Sequence, residues 1–230
     1  MKGSKWGRFG FLSLIVVICC TQAAYSTVLR LSTHASDGTN PPPAEQLDAT
    51  FDFSVLGNTL TLTVTNLTPE NPLTDPELKI NEIYFNTTSN IQGLVLTEVI
   101  GSDIEYWDLT FAADGIHVNG FGLFDVSLID GQGSMPHVID PGETVQFVLG
   151  IAGTGPFSDN DFIQLSTQVD SHVISYAAGK FYNGLPETSA YGATNVPEPA
   201  SVCLLCLGAL ALLSLDFPSK SVQKNKILVV

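Results

Sequence analysis

The sequence predicts an all-β body, and three observations carry that prediction. Apolar and polar residues alternate with a period of two through several short runs, turn signals fall between the runs, and the body sustains no long 3.6-residue apolar period. The expected architecture is a single antiparallel β-sandwich, of jelly-roll or immunoglobulin-like layout, over residues 27–182.

The clearest element is ATFDFSVLGNTLTLTVTN, residues 49–66. Phe51, Phe53 and Val55 alternate with Asp52 and Ser54, and Leu60, Leu62 and Val64 alternate with threonines. Gly57-Asn58 between them suits a two-residue hairpin turn. That turn sets Val55 opposite Leu60, Phe53 opposite Leu62 and Phe51 opposite Val64, which gathers six apolar side chains on one face. Further strands are expected near 27–34, 79–87, 93–100, 105–112, 121–129, 143–151, 161–169 and 172–182. Asp114-Gly115 and Asp130-Gly131 read as turns between them, and Asp140-Pro141-Gly142-Glu143 puts Pro and Gly where a type II turn needs them. Gly120 and Gly122 around Phe121 suggest a bulge. Residues 36–46 and 68–77, with three prolines each, read as loops, and 183–195 as a stalk.

Charge narrows the partners. The 230-residue chain carries a formal net charge of −14, but residues 27–199 hold 22 acids against three bases, Arg30, Lys79 and Lys180. Such a surface repels phosphate backbones, so no nucleic-acid partner is expected, and it repels anionic polymers unless divalent cations bridge them. All four cysteines (19, 20, 203 and 206) fall in terminal apolar runs. The body therefore has no disulfide to make and must rest on its apolar core. Cys203 and Cys206, set among leucines, read as small hydrophobes and not as a redox pair.

The two ends read as addresses. Lys2, Lys5 and Arg8 precede an apolar core from Phe9 to Cys20, and small residues follow. This is the layout of a signal peptide over 1–26, cut after Ser26 with Ala24 at the third position before the cut, or after Ala23. At the other end, residues 200–215 carry no charge, and a transmembrane helix is expected over about 200–217. Its 16 uncharged residues span roughly 24 Å as a helix, against the roughly 30 Å of a bilayer core. Lys220, Lys224 and Lys226 follow, which puts that tail in the cytoplasm and the body outside.

Between stalk and helix stands Val196-Pro197-Glu198-Pro199. The two prolines fix φ and disfavour helix at the residues before them, so this tetrapeptide reads as extended, a shape a protease can hold. Triplet, apolar run and C-terminal bases in that order, behind a signal peptide, resemble the PEP-CTERM sorting signal, a resemblance that covers residues 196–230. It implies an exported protein of a Gram-negative-type envelope, held briefly at the inner membrane. It further implies processing near the triplet by an exosortase-type membrane transpeptidase, and association with extracellular polysaccharide or biofilm.

Chemistry is sparse in the body. His34, His117, His137 and His172 form no His-x-x-x-His pair, no Gly-x-Ser-x-Gly elbow occurs, and GIAGTG at 150–155 is followed by no expected helix. Asp103/Glu105 and Asp159/Asp161 could serve glycoside hydrolysis only across a cleft. Asp159-Asn160-Asp161, oxygen ligands on a loop, is the calcium candidate. Tyr84, Tyr106, Trp107, Tyr176 and Tyr182 could include a sugar-stacking platform, although adjacent Tyr106 and Trp107 point to opposite faces of a strand. The expectation is a non-enzymatic envelope or matrix structural protein without a cofactor. The alternative is a carbohydrate- or calcium-dependent adhesion module on the same scaffold.

Overall fold

The computed structural model describes residues 27–31, 33–36, 47–69, 78–102, 106–131, 138–170, 172–182 and 189–194. The signal-peptide residues Ala24 and Ser26, the Val196–Pro199 motif, the 200–217 apolar run, the tail lysines, Asp103, Glu105 and His137 lie outside these residues. No helix among the described residues is long and apolar enough to cross a membrane.

The described chain is all-β, with two antiparallel sheets and no α-helix. Its strands are β1 (Thr27–Arg30), β2 (Thr33–Ser36), β3 (Ala49–Leu56), β4 (Thr59–Asn66), β5 (Lys79–Phe85), β6 (Ile91–Ile100), β7 (Trp107–Val118), β8 (Gly122–Asp130), β9 (Thr144–Gly153), β10 (Ala177–Tyr182) and β11 (Ala190–Thr194). The first sheet runs β1-β3-β4-β9-β6 and the second β2-β11-β10-β5-β8-β7.

The hairpin forms in the expected register, with Val55 opposite Leu60, Phe53 opposite Leu62 and Phe51 opposite Val64. Gly57 takes φ 61° in its turn, a conformation that costs a residue without Cβ nothing. Five of the six apolar residues are fully buried, and Val55 is half-buried beside the turn. The Asp140–Glu143 turn also forms, with Gly142 at φ 79° and the Glu143 N–H donating to the Asp140 carbonyl at 3.0 Å.

One apolar cluster joins the inner faces of both sheets. Phe53 of the first sheet meets Phe85 of the second edge-to-face, with centroids 5.5 Å apart, and Trp107 meets Phe147 in the same way at 4.8 Å. Such pairs add about 1 kcal/mol beyond the area they bury. At one end of this core the buried Asn66 ties the layers together. Its Nδ2 donates to the carbonyls of Leu78 (2.8 Å) and Ile139 (2.9 Å), and its Oδ1 accepts from the Thr68 N–H and hydroxyl. All three body cations are spent inside the fold, in the pairs Arg30–Asp48 (2.6 Å), Lys79–Asp140 (2.7 Å) and Lys180–Glu82 (3.1 Å).

The second sheet also carries apolar residues on its outer face. Tyr84, Phe124, Ala178, Tyr191 and Ala193 form a separate buried cluster with Val118 and Phe121. Lys180 sits 5.4 Å from the Tyr191 ring centroid, and the Tyr84 hydroxyl donates to Glu82. Burial first, then the adjoining Glu82 charge, pushes the Tyr84 phenol far above its ordinary range.

Six sequence expectations need correction. Residues 27–34 are not one strand: the run breaks after Arg30, and β1 and β2 join different sheets. Residues 161–169 are not a strand but begin in a 3-10 turn at Asp159–Phe162, which Ser158 and Asp161 cap reciprocally. Only the later part of 172–182 is a strand, β10. Asp114-Gly115 is no turn, because β7 runs through it as an irregularity opposite β8. The Gly120 region is a tight turn between β7 and β8, closed by the Phe121 N–H on the Val118 carbonyl at 3.0 Å, and not a bulge. The described part of the expected stalk, too, is structured: β11 pairs with both β10 and β2, and its residues are buried. Small side chains (Ala190, Gly192, Ala193) let that strand fit between two neighbours, and their lack of bulk is what made it read as linker.

A polar cleft braced by Asp125

The candidate site follows from the irregularity in β7. Across β8, Phe111 opposes Val126 while Ile116 opposes Phe124, so residues 112–115 face a single unpaired position, Asp125. Alternation in β8 slips at that point. Val126 and Leu128 belong to the inter-sheet core, whereas Phe124 belongs to the outer cluster. A bulge of this kind re-aims side chains and opens an edge.

Asp125, 8% exposed, braces the opening. Its Oδ1 accepts from the Asp114 N–H at 2.7 Å, and its Oδ2 accepts from the Thr87 N–H (2.9 Å) and hydroxyl (3.0 Å). Asp114 holds φ 49°, a left-handed conformation that aspartate tolerates better than most residues. The Asp125 N–H in turn donates to Asn86 Oδ1 at 2.9 Å. Asn86 is 3% exposed, and its Nδ2 has no hydrogen-bond partner.

Two further segments complete the walls. Thr88 binds the 3-10 turn twice, N–H to the Asp161 carbonyl and hydroxyl to Asp161 Oδ1, both at 2.8 Å. Thr167 exchanges backbone hydrogen bonds with Leu123 (2.9 and 3.0 Å), and its hydroxyl donates to Asp114 Oδ1. Gly122 permits this approach, since a Cβ there would lie 2.4 Å from the Thr167 carbonyl oxygen. The result is a cleft of about 770 Å³ lined by Asn86–Ser89, Ile91, Gln92, Phe111, Ala113, Asp114, Asp125, Gln164, Leu165 and Thr167. Nine of these residues carry a hydroxyl, amide or carboxylate, Ile91, Phe111, Ala113 and Leu165 supply about as much apolar wall, and no cation is among the described lining residues.

The sequence-predicted residues are placed apart from this wall or are already engaged. Asp159 Oδ1 accepts from the Val55 N–H at 2.7 Å, while Asp161 Oδ2 accepts from the Ser158 N–H at 2.8 Å. Burial raises the Asp159 pKa, against the opposing Val55 bond and with help from Asp52. Burial also opposes charge on Asp161, but donors from Thr88, Ser158 and Asn90 together outweigh it and hold that pKa low. Among the described residues no group of three or more His, Cys, Asp or Glu could hold a metal ion. His117 and His172 do approach, with ring centroids 5.3 Å apart. Trp107 and Tyr84 are buried, and Tyr106, Tyr176 and Tyr182 are half-buried, so the five aromatics form no single exposed strip.

Sequence reasoning missed Asn86, Thr87, Asp114 and Asp125 as a site. The available signals were a lone acid inside the apolar strand GLFDVSL and the polar run NTTSN closing the strand before it. The chain matches no family model, no curated protein and no solved structure.

Proposed function

We propose that this chain is an exported, non-catalytic structural protein of the envelope or extracellular matrix. A signal peptide over 1–26 delivers it, and its body is a single β-sandwich. Val196-Pro197-Glu198-Pro199 and the apolar run behind it form a PEP-CTERM-like sorting signal for an exosortase-type transpeptidase. The body then stands at the cell surface among extracellular polysaccharide.

The observation that carries this reading is the order of parts. A disulfide-free, acidic β body ends its last described strand at Thr194, and the Pro-Glu-Pro motif, the uncharged run and the lysines follow at once. A non-catalytic role is supported by the carboxylates themselves. Asp125, Asp159 and Asp161 each accept hydrogen bonds from the body's own backbone, as struts do.

The test is the intact mass of the mature protein from native cells and from cells lacking the exosortase. Loss of the residues after the triplet only when the enzyme is present is the expected result. A C-terminus running through Val230 in both would overturn the sorting reading.

A further inference from the structure

We propose that the cleft braced by Asp125 binds a neutral oligosaccharide segment. Three features of the wall point to that chemistry. A sugar ring presents hydroxyls around its edge and C–H groups on its faces, and the cleft offers both kinds of partner. Amides and hydroxyls of Asn86, Thr88, Gln92 and Gln164 stand with the apolar Phe111 and Leu165.

The second feature is the orphan donor. Asn86 Nδ2 is buried and unpartnered, while Asn86 Oδ1 is fixed by the Asp125 N–H at 2.9 Å. The amide therefore cannot rotate to satisfy itself without losing that bond. A buried donor left unmade costs about 1–3 kcal/mol, and a ligand oxygen that reached it from the adjoining cleft would remove the cost.

The third feature is charge. Asp114 and Asp125 line the cleft, and among the described residues no Lys, Arg or His does. Uronic acids and sulfated or phosphorylated sugars would meet uncompensated carboxylates there, whereas neutral hexoses would not. Both Asp125 oxygens are occupied by internal donors, so that group positions Asn86 and the bulge and is not itself a contact.

This inference rests on the matrix reading for its supply of polysaccharide, but it is tested without it. The full-length protein is titrated calorimetrically with a panel of neutral hexasaccharides (β-glucan, α-glucan, mannan) and with a hexagalacturonate. Saturable binding of one neutral member, weakened about threefold to tenfold by both Asn86→Ala and the exposed Gln92→Ala, is the expected result. No binding by any neutral member, binding that both substitutions leave unchanged, or preference for the hexagalacturonate would each overturn the proposal. Gln92→Ala keeps the test valid should Asn86→Ala disturb the fold. The C-terminal mass reports on sorting alone, so either idea can fail while the other stands.

Discussion

Two buried asparagines mark two kinds of place in this molecule. Asn66, fully buried between the sheet layers, makes four hydrogen bonds and leaves no polar atom over. Asn86, almost as buried, accepts one bond and leaves Nδ2 unpartnered in the wall of a cleft. A satisfied buried amide fixes the fold, and its polar atoms are closed to anything else. An amide held by one end only keeps one donor unmade. The same residue type, at nearly the same depth, is thus fully satisfied in one region and half-satisfied in the other.

The sharpest way to break this comparison is Asn66→Ala. It would strand the Thr68 N–H in the interior and leave the Leu78 and Ile139 carbonyls with one bond each, from the Thr68 hydroxyl and the Ile80 N–H, and a loss of about 3 kcal/mol is expected by urea unfolding. Asn86→Ala removes one made bond and one orphan together, so the expected loss is nearer 1 kcal/mol in the same assay. Equal losses would mean that Asn86 is a core strut like Asn66.

The smallest effects come from the 3-10 turn that backs the cleft. Asp161 has a lowered pKa when folded, so its contribution is present above the ordinary carboxylate value of 3.8 and is lost as pH falls through the lowered one. Asp159 has a raised pKa, so its ionisation costs stability above the raised value, and that cost lifts as pH falls through it toward 3.8. Asp161→Asn should therefore cost about 1 kcal/mol at neutral pH by loss of its capping bonds, with the difference from wild type shrinking in acid. Asp159→Asn keeps an acceptor for the Val55 N–H and should be neutral to slightly stabilising at pH 7. Urea midpoints measured from pH 7 down to pH 3 separate the two, and parallel curves would refute the distinction.

Legibility in the sequence followed regularity. The β3–β4 hairpin could be read to the residue, because turn chemistry and two-residue alternation demand the same register. The cleft could not, because it arises where alternation fails. Phe124 and Val126 share a parity in the sequence yet enter different clusters, and only the three-residue excess in β7 explains the slip. The stretch at 163–176 misled for a related reason. Its described residues contribute one isolated bridge, Leu123 with Thr167, and no named strand. β11 was hidden by its small residues, which carry almost no apolar signal while fitting between two strands.

That last strand has a mechanical consequence. Thr194 closes β11, and Asn195 alone separates it from Val196. Two residues of fully extended chain reach only about 7 Å, so the proposed sorting motif starts only a short chain length from the end of β11. Were the proposed exosortase to grip Pro197-Glu198-Pro199, that short chain length would be all the clearance it has from β11. A pull applied beyond Thr194 would enter along β11 and be shared at once by its ladders to β2 and β10.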